Sequence, residues 1–168
     1  VFVHKIAGAC AETGAELAEV KRVAEKVIAN VRSMGMSVSP CTVPAVGKPS
    51  FELAEDEVEI GIGIHGEPGT HREKISSAAA TVDTLVGKIL DEGIYGEGDE
   101  VAVMVNGMGA TPLSELFIAN LRVKEILDEK KIRIAKTEVG NFMTSLDMAG
   151  FSVTLLKLDD ELKGLLNA

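Results

Sequence analysis

His65 sits in the run IGIGIHGEPG, residues 60–69, and is the residue of this chain best placed to do chemistry. An imidazole changes charge near physiological pH, so it can serve as nucleophile, base or metal ligand. Val58, Ile60, Ile62 and Ile64 alternate with Glu59, Gly61, Gly63 and His65. Period two predicts a strand with one apolar face and a second face bearing Glu59, Gly61, Gly63 and His65. The two glycines leave that second face bare beside the histidine, which admits a ligand or another backbone. Gly66-Glu67-Pro68-Gly69 then turns the chain, and strand ends followed by turns are where α/β sheets place ligand sites. A plainer account uses the glycines only for tight packing and the histidine only to bond a carbonyl. Taken by themselves, the residues favour the plainer account.

Three other constellations are weaker. Gly61-x-Gly63-x-x-Gly66 matches the dinucleotide fingerprint in letters, but that motif needs its glycines in the turn after a strand and at a helix start. The alternating isoleucines put the first two glycines inside the strand. His65, Glu67 and His71 suggest a metal site of a hydrolase. Zinc deaminases, however, follow His-x-Glu with a downstream Pro-Cys-x-x-Cys, whereas Pro40-Cys41 lies upstream without a second cysteine, and no His-Glu-x-x-His is present. No metal is therefore expected, and His71 is expected in the solvated first turn of a helix. Asn106-Gly107-Met108-Gly109-Ala110-Thr111-Pro112 joins a buried strand to a helix. Its N–H groups could hold an anion, but a glycine turn feeding an N-cap is the simpler expectation, and no P-loop lysine follows.

The elements that must position these residues alternate along the chain. Residues near 4–12 predict a helix ending around Gly14, and Thr13-Gly14-Ala15-Glu16 fits a capping box. Leu17, Val20, Val23, Val27, Val31 and Met34 line one face of a second helix, with Gly35 as its stop. Met36–Val46 reads as extended and residues 47–56 as a loop. Thr70-His71-Arg72-Glu73 predicts a second capping box, before a helix burying Ile75, Ala79, Val82, Val86 and Ile89. Val101–Val105 is an apolar strand. Thr111 caps a further helix with Pro112 at its first position, lined by Leu113, Leu116, Phe117, Leu121 and Ile126. Ile132–Val139 and Phe151–Leu158 are strands, and Asp159 or Asp160 caps a terminal helix. The order predicts one α/β domain, a mixed sheet packed by helices.

Composition bounds the partners. With 168 residues, 46 % of them hydrophobic, the chain suits one domain with a substantial core. Aromatics are only 4 %, so that core rests on Val, Ile, Leu, Ala and Met. A net charge of −9 repels phosphate backbones and anionic lipid, which argues against nucleic acid or a membrane as partner. Cys10 and Cys41 form no CxxC and are too few for a disulfide framework, which suits a reducing cytoplasm; each is expected as a small buried hydrophobe. No apolar run approaches the roughly 20 residues that cross a bilayer. His4 and Lys5 interrupt the apolar opening, unlike a secretory signal. The chain starts with Val inside that segment and is expected to be a piece of something longer.

The run GIGIHGEPG, preceded by SPCTVPAVGKPSF (Ser39–Phe51), resembles the substrate-binding subunit of dihydroxyacetone kinases. VHKIAGA (Val3–Ala9), MVNGMGATPLSEL (Met104–Leu116) and TSLDMAGFSVTLLKLDDE (Thr144–Glu161) are similar to further blocks of that family, in the same order over nearly the whole chain. The resemblance implies that His65 attacks the ketone carbon of dihydroxyacetone through Nε2 and holds it as a covalent hemiaminal. A neutral imidazole is a competent nucleophile. Such a covalent test separates the ketose from glycerol, which has no carbonyl, and the tether places a terminal hydroxyl for phosphorylation. The block at Met104–Leu116 looks like the phosphotransferase-system type. This implies that a separate nucleotide-binding subunit carries ADP (or ATP in the other type), that no cofactor is bound by this chain, and that the protein is a cytoplasmic homodimer. Members of the family acting as dihydroxyacetone-sensing coregulators imply a non-catalytic alternative. The family also carries an N-terminal domain that completes the site, so residues 1–168 correspond to a C-terminal domain with that partner domain absent. His65 alone is carried over by motif; Gly66 and Glu67 adjoin it without assigned roles.

Overall fold

The apolar run around Val101–Val105 and the run ending at Leu158 become neighbouring inner strands of a mixed sheet. The computed structural model describes residues 1–64 and 67–168. Within them the chain runs α1 (Phe2–Glu12), α2 (Leu17–Asn30), β1 (Val31–Ser37), β2 (Glu57–Ile60), β3 (His71–Lys74) and α3 (Ala78–Leu90). It continues through β4 (Glu100–Gly107), α4 (Leu113–Glu129), β5 (Arg133–Gly140), β6 (Gly150–Leu158) and α5 (Asp160–Asn167). The strands lie in the order β3-β2-β1-β6-β4-β5. All neighbours are antiparallel except β4 and β5, which are parallel. This is the expected single α/β domain with a mixed sheet.

Register decides what each face carries. β1 pairs with β6 from Val31 opposite Leu156 to Ser37 opposite Gly150, and β4 pairs with β6 from Glu100 opposite Leu158 to Gly107 opposite Phe151. Because side chains alternate along a strand, Val101, Val103, Val105, Val153 and Leu155 share one face. There they pack with Val82, Leu85 and Val86 of α3 and with Leu116, Val123 and Leu127 of α4. Ala102, Met104, Leu156 and Leu158 share the other face, under α1, α2 and α5 through Ile6, Val23, Val27 and Leu162. Leu155 and Leu156 are fully buried on opposite faces, each worth about 1.5–3 kcal/mol of transfer free energy. Both thiols, Cys10 and Cys41, are free and buried. Among the described residues no helix is long and apolar enough to cross a membrane.

Several local expectations change. The apolar spacing of α2 continues through Val31 and Met34, but the helix stops at Asn30 and both residues enter β1; Gly35 lies within the strand, and Leu17 is exposed. Pairing with β6 along the whole strand outweighs helical periodicity there. No side-chain cap forms at Glu16 before α2, and the Thr13 hydroxyl instead bonds the Cys10 carbonyl at 2.7 Å. Residues 71–74 form β3 rather than a first helical turn, because Glu57–Ile60 pairs with them across a hairpin. The helix begins later, capped by Ser77, which accepts the Ala80 N–H; Ile75 and Ala79 are exposed. Thr111 does not cap α4. Its hydroxyl bonds both the carbonyl and the N–H of Gly150, at 2.7 and 2.9 Å, and Pro112 occupies the N-cap. The phase of α4 is set by Leu116, Ala119, Val123, Ile126 and Leu127, leaving Leu113, Phe117 and Leu121 more than half exposed. Asp159 caps α5, accepting the Leu162 N–H at 2.9 Å.

Candidate functional site

β2 ends at Ile60 rather than running to residue 65. Gly61 has φ +83°, a left-handed conformation that breaks the pleat and that glycine adopts at little cost. The bare strand face expected to carry Glu59, Gly61 and Gly63 is therefore not formed, and the expectation for His65 lies outside the described residues. Residues 61–64 and 67–70 instead connect β2 and β3 as irregular segments, with His65 and Gly66 outside the described residues. The connection is held at both ends. Gly61 N–H donates to the Gly35 carbonyl at 2.6 Å, and Thr70 N–H and hydroxyl donate to the Ile60 carbonyl at 2.7 and 3.1 Å. Ile62 anchors the outgoing arm, buried with Cys41, Met108 and Met148. The two arms touch where Gly63 N–H donates to the Glu67 carbonyl at 3.3 Å.

The glycine at 63 has a specific cause. A β-carbon built there would lie 2.8 Å from Cδ of Glu67. The carboxylate of Glu67 thus folds over Gly63, and a side chain at position 63 would push it away.

Gly61 to Ile64 form one wall of a cavity of about 470 Å³, within the common range for small-molecule sites. Its floor is the part of the sheet that α1, α2 and α5 leave uncovered: Ser33 and Gly35 of β1, Asn106 of β4, and Ser152 and Thr154 of β6. The Ser33 and Thr154 hydroxyls bond one another at 2.7 Å. Met104, Met108 and Met143 line its apolar side, and Val1–Val3 border it at the start of α1. The cavity therefore joins hydroxyls and an amide to an apolar wall, a combination suited to a small polyhydroxylated ligand.

Asn106, which sequence reasoning placed in a turn without a role, organises the neighbouring loop. Its Oδ1 accepts the N–H groups of Phe142 and Met143 at 2.8 and 2.9 Å, while Nδ2 donates to the Met143 carbonyl at 2.8 Å. The segment 106–112 is no ready anion cradle. The N–H groups of Met108 and Ala110 already donate to the carbonyls of Gly150 and Met148. His71 stands exposed on β3, its Nδ1 3.0 Å from the Thr70 hydroxyl and its Nε2 3.1 Å from Glu73. The structure thus puts His71 with Glu73. Among the described residues no group of three or more His, Cys, Asp or Glu side chains is arranged to hold a metal.

Comparison with known proteins agrees with this arrangement. The family model of the Dak1 domain matches residues 1–168. The chain belongs to the Dak1 domain family. It is 55 % identical, over 161 residues, to the dihydroxyacetone-binding subunit DhaK of PTS-dependent dihydroxyacetone kinase 1 from Listeria innocua, covering 96 % of this chain and 49 % of that protein. Among solved structures it is similar to the dihydroxyacetone kinase operon co-activator Dha-DhaQ, with a TM-score of 0.91 and 35 % identity over 99 % of this chain and 52 % of that one. The dihydroxyacetone kinase of C. freundii superposes with a TM-score of 0.86 at 32 % identity, over 99 % of this chain and 30 % of that one. The Dak1 chain described here spans about half the length of the curated subunits it matches.

Proposed function

We propose that this Dak1 domain is the histidine-bearing part of a dihydroxyacetone-binding subunit and that His65 is the group that captures the ketose. The observation that carries the reading is the cavity wall of Gly61 to Ile64, which leads directly into His65. The likeness to a named dihydroxyacetone-binding subunit supports the choice of ligand.

In this reading the Nε2 lone pair of a neutral His65 adds to the ketone carbon. A C–N bond forms and the carbonyl π-bond opens onto oxygen. The oxygen gains a proton and the ring gives up the one on Nδ1, so the product is a neutral hemiaminal. Glycerol offers no electrophilic carbon and is excluded chemically rather than by shape. The tethered ketose then presents a terminal hydroxyl for phosphorylation. The phosphate comes from a separate nucleotide-binding subunit carrying ADP or ATP, with phosphoenolpyruvate as its source in the phosphotransferase-dependent type. This chain binds no nucleotide itself, and the protein works in the cytoplasm as a homodimer. The remaining half of the length seen in the relatives, an N-terminal domain, completes the site.

A second reading is favoured by one observation, the TM-score of 0.91 to an operon co-activator. There the same capture of dihydroxyacetone would signal rather than feed catalysis.

The test is carbon NMR of carbonyl-labelled dihydroxyacetone with the protein at its native length and with its His65→Ala variant, followed by a phosphorylation assay with the nucleotide-bearing partner. A hemiaminal carbon that depends on His65, with product formed, supports the kinase reading. The same adduct without product supports the sensing one. An unaltered ketone signal in the native protein ends both.

A further inference from the structure

One acidic side chain lies where the β2–β3 hairpin closes. Glu59 is only 7 % exposed, between Val58 and Ile60, which are buried almost completely. Its Oε1 accepts the Gly69 N–H at 2.6 Å and its Oε2 accepts Arg72 Nε at 3.3 Å. The returning arm passes so close that a β-carbon at Gly69 would lie 2.7 Å from Cγ of Glu59.

We infer that Glu59 is a positioning residue for His65, fixing the returning arm of the loop through Gly69. The inference rests on the reading of His65 as the capturing group. A buried carboxylate is a poor source of stability, since an apolar side chain of similar volume usually does as well or better. What the carboxylate adds here is direction. It bonds the main-chain N–H of Gly69, four positions after His65 in the chain, while Ile62 anchors the segment before it. Pro68, with its φ fixed by the ring, carries the constraint from Gly69 to Glu67. Glu67 in turn meets Gly63 through its carbonyl and its folded-back side chain. The segments before and after His65 in the chain are thereby linked twice, through Glu59 with Gly69 and through Gly63 with Glu67. Arg72 balances the charge of Glu59 from β3 and stays half exposed.

The experiment compares the native-length protein with Glu59→Ala, Glu59→Gln and Arg72→Ala, with Lys74→Ala as a control that breaks only an exposed pair with Asp56. Two quantities are measured: the rate at which the hemiaminal carbon appears, and the imidazole resonances of His65. Glu59→Ala is expected to slow capture by about tenfold or more, since small misplacements of a reacting group cost that much. Glu59→Gln keeps an acceptor for Gly69 and is expected to recover most of the rate. Arg72→Ala, which removes a half-exposed guanidinium and leaves the Glu59–Gly69 bond in place, is expected to fall between them and decides the matter if Glu59→Ala fails to fold. Capture at the native rate in the Glu59→Ala and Arg72→Ala proteins, with unmoved His65 resonances, overturns the inference. If no protein captures the ketone, the reading of His65 fails separately, and the ring resonances still decide. A shift in the Glu59 variants but not in Lys74→Ala upholds the clamp, and no shift refutes it.

Discussion

The sheet face that packs against α1, α2 and α5 has two ends made from the same three strands. At one end Val31, Ala102, Leu156 and Leu158 meet the helices and pack with them. A few residues along β1, β4 and β6 the same face carries Ser33, Gly35, Asn106, Ser152 and Thr154, and it opens onto the cavity. Neither backbone pairing nor register changes between the ends. Side-chain size and polarity change, and with them the surface goes from one that must be covered to one that water or a small hydroxylated ligand can occupy. The division also explains why the wall of Gly61 to Ile64 lies where it does. Gly35, in the open half of β1, receives the Gly61 N–H, so the sheet floor and the loop wall share one hydrogen bond.

Substitutions at the two ends should therefore separate stability from the dihydroxyacetone capture proposed for His65. The largest effect is expected from Leu156→Ala at the closed end. Its side chain is fully buried, and truncation should cost about 2–5 kcal/mol in a denaturant melt. Capture of dihydroxyacetone per folded molecule should be unchanged. A stable Leu156→Ala protein that has lost capture would break the comparison. Gly63→Val on the wall of the open end should do the reverse. It displaces Glu67 and fills the space beside the floor, so hemiaminal formation should fall by about tenfold to a hundredfold, with stability within about 1 kcal/mol of the parent. Retained capture would mean that the glycine serves only the packing of Glu67.

The closed end was the more legible of the two in the sequence. Val23 and Val27 in α2, the apolar run of β4 and the Asp159 cap all follow from local pattern. Two local patterns mislead. Val27, Val31 and Met34 suit one helical face, yet Val31 and Met34 belong to β1, because β6 pairs along its whole length. Thr70 to Glu73 has the letters of a capping box, yet the hairpin partner Glu57–Ile60 decides. Both failures have the same origin: pairing between residues distant in sequence outweighs local propensity. At the open end the glycines around position 65 advertise a special segment, but Gly61 takes a positive φ and ends the strand there. The bonds of Glu59 depend on the hairpin register and those of Asn106 on a loop more than thirty residues away. A lone acid between Val58 and Ile60 is the sequence signal for the first. No local signal announces the second.

Smaller effects sharpen the boundary between the ends. Asp159 starts α5, whose Leu162 and Leu166 close over the sheet. Burial pulls its pKa upward, but the Leu162 N–H bond together with the hydrogen bond and charge of Lys26 outweighs this and holds the carboxyl below its ordinary value of 3.8. A carboxyl with the lower pKa in the folded state contributes fully above its unfolded pKa, and that contribution disappears as pH falls through the folded value. Asp159→Ala should therefore cost about 1 kcal/mol at neutral pH, with the gap from the parent closing as the medium is acidified below the ordinary carboxylate range. Asp159→Asn, which still accepts the Leu162 N–H but carries no charge for Lys26, should recover only part of the stability. A gap that is constant with pH would show that the cap works without its charge.

The smallest effect is expected from Ser33→Ala on the open floor. Its hydroxyl bonds Thr154 at 2.7 Å, but Ser33 is exposed, and water replaces a lost exposed bond at little cost. The melt should move by no more than about 0.5 kcal/mol. This near-neutral outcome is informative because the residue lies two positions along β1 from Val31, which packs in the closed core. Stability that falls by much more would mean that the polar floor is itself part of the core, and the division between a closed and an open end would be wrong. With stability unchanged, any slowing of ketose capture in Ser33→Ala can be assigned to contact between the ligand and the floor.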